Sequence, residues 1–510
     1  MDKIQLLYIE NVITRTYEQV QQVLTFFMLV ENVSYDKQVD VIWSGEDGIW
    51  HTLPAKYHSV QGHDREYWRT QVTFNLTAEQ SLPGNIHFGL RYQVYGSEYW
   101  NNNGGLNYSS EADSGIKLGN QQLVQNIGFE SHLNDEQDFV TVNIAVDQAI
   151  NAEKVTIHWT TDNWNTTKKS SCLCENNFWD KVLQSNARNP NQYGIQQWTG
   201  RICNGDSFRL QYSICCESNG QVVWDNNYGN NYSFQREQLK VLILNLHCYQ
   251  EENQNEKFTQ IAKAIDDLDI DIVCLQEVAE FWNDGEGDWA SNSARIINER
   301  LIEPFHMHTD WSHLGFDKYR EGVAILSRYP MSNHDSRYVS DSHDRYSIHS
   351  RKVVMARIHV PYVGPINVLS AHLSWLEDGF REQFQRLHEW AANNQTDDVK
   401  ATLLCGDFNI TAGSTGYELV VDSNEYEDQY LAANEQGIFD KIFRVNDTHW
   451  RDLLADDYRI DYIFMNKASE LQVNSAKVIF TDQDYGQVSD HCGYFMTFEP
   501  KIITTATGEG

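Results

Sequence analysis

Two hydrophobic rhythms divide the chain. Up to Phe234, apolar and polar residues alternate in short runs, among them FGLRYQVYG from Phe88 and FRLQYSICC from Phe208, broken by Asn, Gly and Ser. A period of two predicts half-buried strands, and so many of them with few helical stretches predict all-β sandwiches. From Leu239 the rhythm changes. LKVLILNL (239–246) and DIVCLQEV (271–278) are continuous apolar runs, as in strands covered on both faces, and FTQIAKAIDDL (258–268) between them has the helical period. GVAILSRYP, RKVVMARIHV, INVLSAHLSW, the helical FREQFQRLHEWAANN, TLLCGDFNI and RIDYIFMN continue the pattern. That order predicts a layered α/β domain over 238–500.

The alternating part contains an internal repeat. Tyr99–Tyr108 (YWNNNGGLNY) aligns without a gap on Val223–Tyr232 (VWDNNYGNNY), each after an alternating strand. Upstream, KQVDVIWSGEDGIW (37–50) matches EKVTIHWTTDNW (153–164). A period of about 110 residues means two copies of one domain, placed at 1–116 and 117–236, with a tail at 501–510. A sugar ring offers an apolar face for an indole to cover and a rim of hydroxyls for amides to bond. The competing reading is a turn in which Asn and Gly supply backbone geometry and Trp fills core. The repeated segment resembles the W-D-N-N-x-G-x-N-Y segment of starch- and glycogen-binding modules of family 21, found on fungal glucoamylases and on glycogen-targeting subunits of protein phosphatase. The resemblance implies α-glucan contacts (glycogen, starch, malto-oligosaccharide) from Trp100, Asn102, Asn103, Asn107, Tyr108, Trp224, Asp225, Asn226, Asn227, Asn231 and Tyr232. The first copy departs from it, with Asn101 where the Asp is expected.

Charge and cysteines narrow the partners. The net charge is −33, from 16 basic against 26 acidic residues over 1–236 and 23 against 46 over 237–510. Nucleic-acid and anionic-membrane surfaces are built from clustered Lys and Arg, so neither partner is expected. The N-terminus interrupts its apolar residues with Asp2, Lys3, Glu10 and Arg15, unlike a signal peptide, and no run approaches a membrane span. Nine cysteines, an odd number, in a chain of this length predict free thiols and a cytoplasmic location. Cys172, Cys174, Cys203, Cys215 and Cys216 cluster without a CxxC pair or accompanying His spacing, so a zinc clip is not expected.

The apolar runs of the C-terminal half end at polar residues: Asn245, Glu277, His372, Asp407 with Asn409, Asp461, and Asp490 with His491. Such a set suits metal-assisted phosphoryl chemistry. A hard cation takes carboxylate and amide oxygens, a water must give up a proton, and the phosphate must meet donors. With LQE at Glu277, EGVAILSR at Glu321, HL at His372, then GDFN, RIDYIF and SDH in order, residues 238–500 resemble the endonuclease/exonuclease/phosphatase superfamily. The resemblance implies a four-layer DNase I-like sandwich and a Mg²⁺ cofactor, with Mn²⁺ as the alternative. It implies Glu277, Asn245 and Asp490 as metal ligands, His491 as the group that orients or deprotonates the attacking water, and Asp461 as the residue that fixes its tautomer. Asp407 would position the water and Asn409 would donate to a phosphoryl oxygen. His372 would bind the phosphate from the other side, supported by Glu321, with Arg351 and Tyr319 at positions that contact it. Surface ion pairs for Glu321 and Arg351, and a core place for Tyr319, are the structural alternatives.

The ester is narrowed by what surrounds these motifs. CGDFNI and RIDYIF lack the inositol 5-phosphatase signature, and a catalytic half of this acidity lacks the basic track of a nuclease. Trp311–Pro330 and Ser370–Phe384 are similar to bacterial members of maltose 6'-phosphate phosphatase type. That similarity implies Trp375 and Trp311 as covers for a glucose ring and Asp378 as an acceptor for its hydroxyls; the alternative is that Trp375 anchors the following helix. The expected enzyme is a phosphatase of a phosphorylated sugar or glucan, for which glucan modules raise effective concentration. The competitors are a metal-dependent phosphodiesterase, nuclease or sphingomyelinase-like, stored on glycogen, and a glucan-binding scaffold with an inactive enzyme domain.

Overall fold

A computed structural model of the chain describes residues 3–62, 64–119, 122–129, 132–133, 138–174, 188–283, 285–434 and 459–502; residues 503–510 of the expected tail lie outside them. The chain forms two compact units, one built from Met1–Arg236 and the other from Glu237–Lys501.

In the first unit each copy of the repeat is a pair of antiparallel sheets. In the first copy Gly115–Leu118, Ile4–Arg15, Val20–Glu31, Arg65–Asn75 and Lys56–Gly62 form one sheet, and Trp50–Pro54, Lys37–Ser44, Ile86–Val94, Ser97–Asn101 and Tyr108–Ser110 the other. Alternation does the work here: Ile86, Phe88, Leu90, Tyr92 and Val94 all turn into a core that also holds Phe26 and Trp43. The second copy repeats the plan around Ile144, Trp159, Leu210, Tyr212 and Phe234. Gly115–Leu118 pairs with Ile4–Arg15, with Tyr8 opposite Leu118, so a strand of this sheet crosses the boundary expected at 116.

The second unit has four layers, as the resemblance implies. One sheet runs in the order His306–Gly315, Tyr319–Ser327, Ile272–Asn283, Leu239–Asn245, Gly493–Pro500, Leu471–Ile479; the other runs Met331–Tyr338, Lys352–Val360, Gly364–His372, Ala401–Asp407, Asp461–Asn466, Tyr426–Asp428. Val241, Ile243, Cys274 and Ile325 of the first meet Val354, Val368, Leu403 and Ile463 of the second. The alternate residues face outward under helices: Leu242, Leu244 and Leu275 under Phe258, Ile261 and Ile265, and Leu369, Leu404 and Phe464 under Phe380, Phe384, Leu387 and Trp390. Burial on both faces explains the unbroken apolar runs.

Strand direction gathers the polar residues at one end. Leu239–Asn245 and Ile272–Asn283 are parallel, as are Gly364–His372 and Ala401–Asp407, so Asn245 stands opposite Gln276 and His372 opposite Asp407. Asp461 opens a strand antiparallel to Ala401–Asp407 and sits opposite Asp407. Gly493–Pro500, antiparallel to Leu239–Asn245, begins just after His491. Ligand sites of α/β sheets lie at such carboxyl ends.

Candidate active site

Asp461 and His491 form the best-defined pair. Asp461 Oδ2 lies 2.8 Å from His491 Nδ1, and His491 Nε2 lies 3.8 Å from Asp407 Oδ2 and 4.0 Å from Asp490 Oδ1. Burial alone would lower the His491 imidazole, but Asp461, Asp490 and Asp407 outweigh it and hold the ring well above the usual histidine value. Asp407 accepts from the Asn409 backbone N–H at 2.9 Å and from Asn245 Nδ2 at 3.0 Å. Burial, then the nearby Asp461, push its carboxyl up to about 7.

Glu277 sits at a bulge in the pairing of its strand, with φ +49°, a left-handed conformation that aims its side chain out of the ladder. Its Oε1 accepts from Asn245 Nδ2 at 2.9 Å, so one amide bridges Glu277 and Asp407. Burial, Glu321 and Asp490 push Glu277 up to about 8. Carboxyls pushed that far need a cation to ionise together. Ligand atoms of Glu277, His372 and Asp407 lie within 4.8 Å of one another, and Asp461 Oδ1 is buried without a hydrogen-bond partner among the described residues. The donor set is hard and oxygen-rich, and it fits a divalent ion. Of the expected ligands, Asp490 stands with His247, whose Nδ1 is 3.6 Å from Asp490 Oδ1 and 2.7 Å from Glu251 Oε1. Asn245 presents its amide N–H groups to the carboxylates while its Oδ1 accepts from the His247 backbone N–H.

One expected pairing is redrawn. Glu321 does not support His372: its Oε1 lies 3.4 Å from His313 Nε2, and although burial would raise it, His313 and Arg351 hold its carboxyl below the usual value. His372 is held instead by Arg351, whose Nη1 lies 3.2 Å from His372 Nδ1. Strand register is the cause, since His313 stands directly opposite Glu321. Asn409, at φ +51°, donates one amide hydrogen to the Leu373 carbonyl at 2.9 Å, which orients the amide beside Asp407. Tyr319 is buried, tilted against Tyr249 and edge-on to Phe316, and burial followed by Glu321 raises its phenol. Trp311 is half-buried and lies beside Trp282, and the Arg320 guanidinium is 4.9 Å from the Trp311 ring and 5.0 Å from Trp282. Trp375 is half-buried and Asp378 exposed on the turn Leu376–Asp378, which Gly379 at φ +99° hands on to the helix Phe380–Asn393.

His247 and Glu251 lie outside the motif words, and His313, inside Trp311–Pro330, has no part in the motifs that mark that stretch. Their signal was period: His247 follows Asn245 by two and precedes Glu251 by four, and His313 alternates with Trp311.

The glucan segments are largely occupied in shaping their own loops. Asn103, Asn107, Asn227 and Asn231 all have positive φ, and the Oδ1 atoms of Asn102 and Asn226 each accept from a glycine N–H at 3.0 Å. Tyr108 OH bonds Asn101 at 2.6 Å and Tyr232 OH bonds Asp225 at 2.9 Å. The Asn-for-Asp departure then has a reason: Asn101 Nδ2 donates to the Ile4 carbonyl at 2.9 Å, whereas Asp225 Oδ2 accepts from the Asn126 N–H at 2.8 Å. Asn227 is buried against the first copy, bonded by the Tyr67 hydroxyl and by Gln61 Nε2 at 2.9 Å. Trp100 and Trp224 remain exposed at 46% and 47%.

Residues 242–491 match the Endonuclease/Exonuclease/phosphatase family, and residues 3–111 and 121–235 each match the carbohydrate/starch-binding module of family 21. The uncharacterized protein YbhP of Escherichia coli K12 is 31% identical over 195 residues, 36% of this chain and 72% of that protein. Protein phosphatase 1 regulatory subunit 3E of Mus musculus is 38% identical over 81 residues, 16% of this chain and 28% of that protein. The solved structure of an endonuclease/exonuclease/phosphatase family protein from Leptotrichia buccalis C-1013-b is 30% identical, covering 51% of this chain and 99% of that one, with a TM-score of 0.45.

Proposed function

Since the chain belongs to the endonuclease/exonuclease/phosphatase family and carries two starch-binding modules, we propose that it is a Mg²⁺-dependent phosphatase that removes a phosphomonoester from maltose phosphate, a malto-oligosaccharide or an α-glucan while tethered to glycogen or starch. The observation that carries this reading is the union, in one chain, of two glucan modules with a hydrolase unit whose Asp461–His491 pair is intact. A neutral glucan meets no repulsion from a chain of net charge −33, and tethering raises the local concentration of its phosphate groups. The cysteines are free thiols, which supports a reducing, cytoplasmic setting; no helix among the described residues is long and apolar enough to cross a membrane.

Glu277 and Asp407, linked by Asn245, would hold the cation, with Asp490 adjoining. A divalent ion bound there would neutralise phosphate charge and steady the leaving oxygen. His491 would orient the attacking water, or take its proton, through Nε2 while Asp461 keeps the Nδ1 proton in place. Asp407 positions that water, and Asn409 donates its second amide hydrogen to the phosphoryl oxygen on which charge develops. Arg351 and His372 meet the phosphate from the opposite strand.

The test is a panel of maltose 6'-phosphate, glucose 6-phosphate, bis-p-nitrophenyl phosphate and plasmid DNA, each with Mg²⁺. Phosphate release from the sugar esters is expected. Nicking of DNA with no release from sugars would replace this reading with a phosphodiesterase, and inactivity on every ester with intact glycogen binding would leave a scaffold.

A further inference from the structure

His372 is embedded in a hydrogen-bond chain that begins outside the site. Gln383, buried in the helix Phe380–Asn393, grips Ser374 twice: its Oε1 accepts from the Ser374 backbone N–H at 2.9 Å and its Nε2 donates to Ser374 Oγ at 3.0 Å. Ser374, equally buried, also accepts from Arg351 Nε at 3.4 Å, and Arg351 Nη1 reaches His372 Nδ1 at 3.2 Å. A guanidinium has donors and no acceptor, so this last contact is a hydrogen bond only if Nδ1 of His372 carries no proton. The proton then belongs to Nε2, which lies 3.7 Å from Asp407 Oδ2, beyond hydrogen-bond range. The imidazole stands where Glu321 was expected to support it, but that carboxylate has gone to His313.

We infer that Gln383 and Ser374 are positioning residues which, through Arg351, fix His372 in the tautomer that presents Nε2–H as a hydrogen-bond donor to a phosphoryl oxygen. Two consequences separate this arrangement from a carboxylate-supported histidine. His372 Nδ1 accepts from Arg351 where a carboxylate would take a proton, and the aim of the ring depends on Gln383, which shares the buried face of its helix with core residues. The inference rests on the reading of the site as a phosphohydrolase, but its first readout needs no turnover.

The experiment is ¹⁵N NMR of the full chain labelled at histidine, with the His372 signal identified by its loss in His372→Gln. In the wild type, Nε2 should resonate as a protonated and Nδ1 as an unprotonated ring nitrogen; the reverse assignment overturns the inference whatever the substrate proves to be. Ser374→Ala removes only the hydroxyl that receives Arg351 and should mix the two tautomers. On maltose 6'-phosphate it should lower kcat roughly 10- to 100-fold, the range for lost outer-shell partners, and Ser374→Thr should restore it. A change in kcat of less than about twofold, or a loss carried by KM alone, overturns the positioning role. Gln383→Met should act in the same direction, and an unshifted tautomer in a folded Gln383→Met chain counts against it.

Discussion

Asp461 accepts the Nδ1 proton of His491 at 2.8 Å, which leaves Nε2 as the ring nitrogen toward Asp407. A carboxylate at that place allows one arrangement of the ring; an amide would allow the opposite one, because its NH₂ can donate to Nδ1.

Asp461→Asn should therefore lower kcat for phosphate release by about 10³-fold or more, the scale of a wrong-tautomer histidine, with KM and glycogen pull-down little changed. His491→Ala should abolish release and also spare glycogen binding. A kcat within tenfold of wild type for Asp461→Asn would remove the pair from the proton-transfer step.

Glu277 and Asp407 give the pH dependence. Their carboxyls, pushed up to about 8 and about 7 by burial and by like charges, bind protons at neutral pH that the unfolded chain does not. A raised pKa contributes stability that is full below the unfolded value near 4 and is lost as pH rises through the folded one. The metal-free protein should thus lose melting temperature between about pH 4 and 8, and millimolar Mg²⁺ should restore it at the upper end. Because the ion requires ionised ligands, its affinity should rise across the same interval with release of protons, read as a buffer-dependent heat in calorimetry. A Mg²⁺ affinity flat in pH would place the ion elsewhere.

How much of this was legible in the sequence varies with the kind of residue. Buried strands announced the four-layer unit because both of their faces are covered, and GDFN or SDH sits where such a strand stops. The repeat told of two sandwiches. Partners across strands were not legible: nothing in EGVAILSR says that Glu321 faces His313, since that follows from register with a neighbouring strand, bulge included. Nor does a repeated Asn say whether it serves a ligand or a left-handed turn. Asn103 and Asn227 do the latter in both copies, so turn geometry alone accounts for much of the preserved pattern.

The exchange between Asn101 and Asp225 can be tested directly. Each is matched to a partner of opposite polarity, a carbonyl of Ile4 in one copy and an N–H of Asn126 in the other. Asn101→Asp would set a carboxylate against a carbonyl. Asp225→Asn would leave one of the N–H groups of Asn126 and Asn227 without its carboxylate oxygen. Each change should cost about 1–3 kcal/mol, the penalty of an unsatisfied buried polar group, measured by chemical denaturation of the full chain. Were these residues ligands for glucan instead, stability would hold and glycogen affinity would fall.

Trp100 and Trp224 are what remains for the sugar. With most neighbouring Asn, Asp and Tyr side chains engaged in loop and fold, the exposed indoles, one beneath Arg91 at 6.0 Å and the other edged by His158 at 4.8 Å, are the exposed aromatic faces that the two repeated segments share. Removing an aromatic anchor from a binding face costs about 2 kcal/mol, or roughly thirtyfold in affinity. Trp100→Ala and Trp224→Ala together should therefore release the protein from glycogen in a sedimentation assay while leaving kcat/KM on maltose 6'-phosphate unchanged, because a small ester gains nothing from tethering. The polymer case should differ, with activity on phosphorylated glycogen falling in proportion to the lost binding. Undiminished sedimentation of the double variant would return both indoles to a packing role and move glucan capture to other faces of the modules.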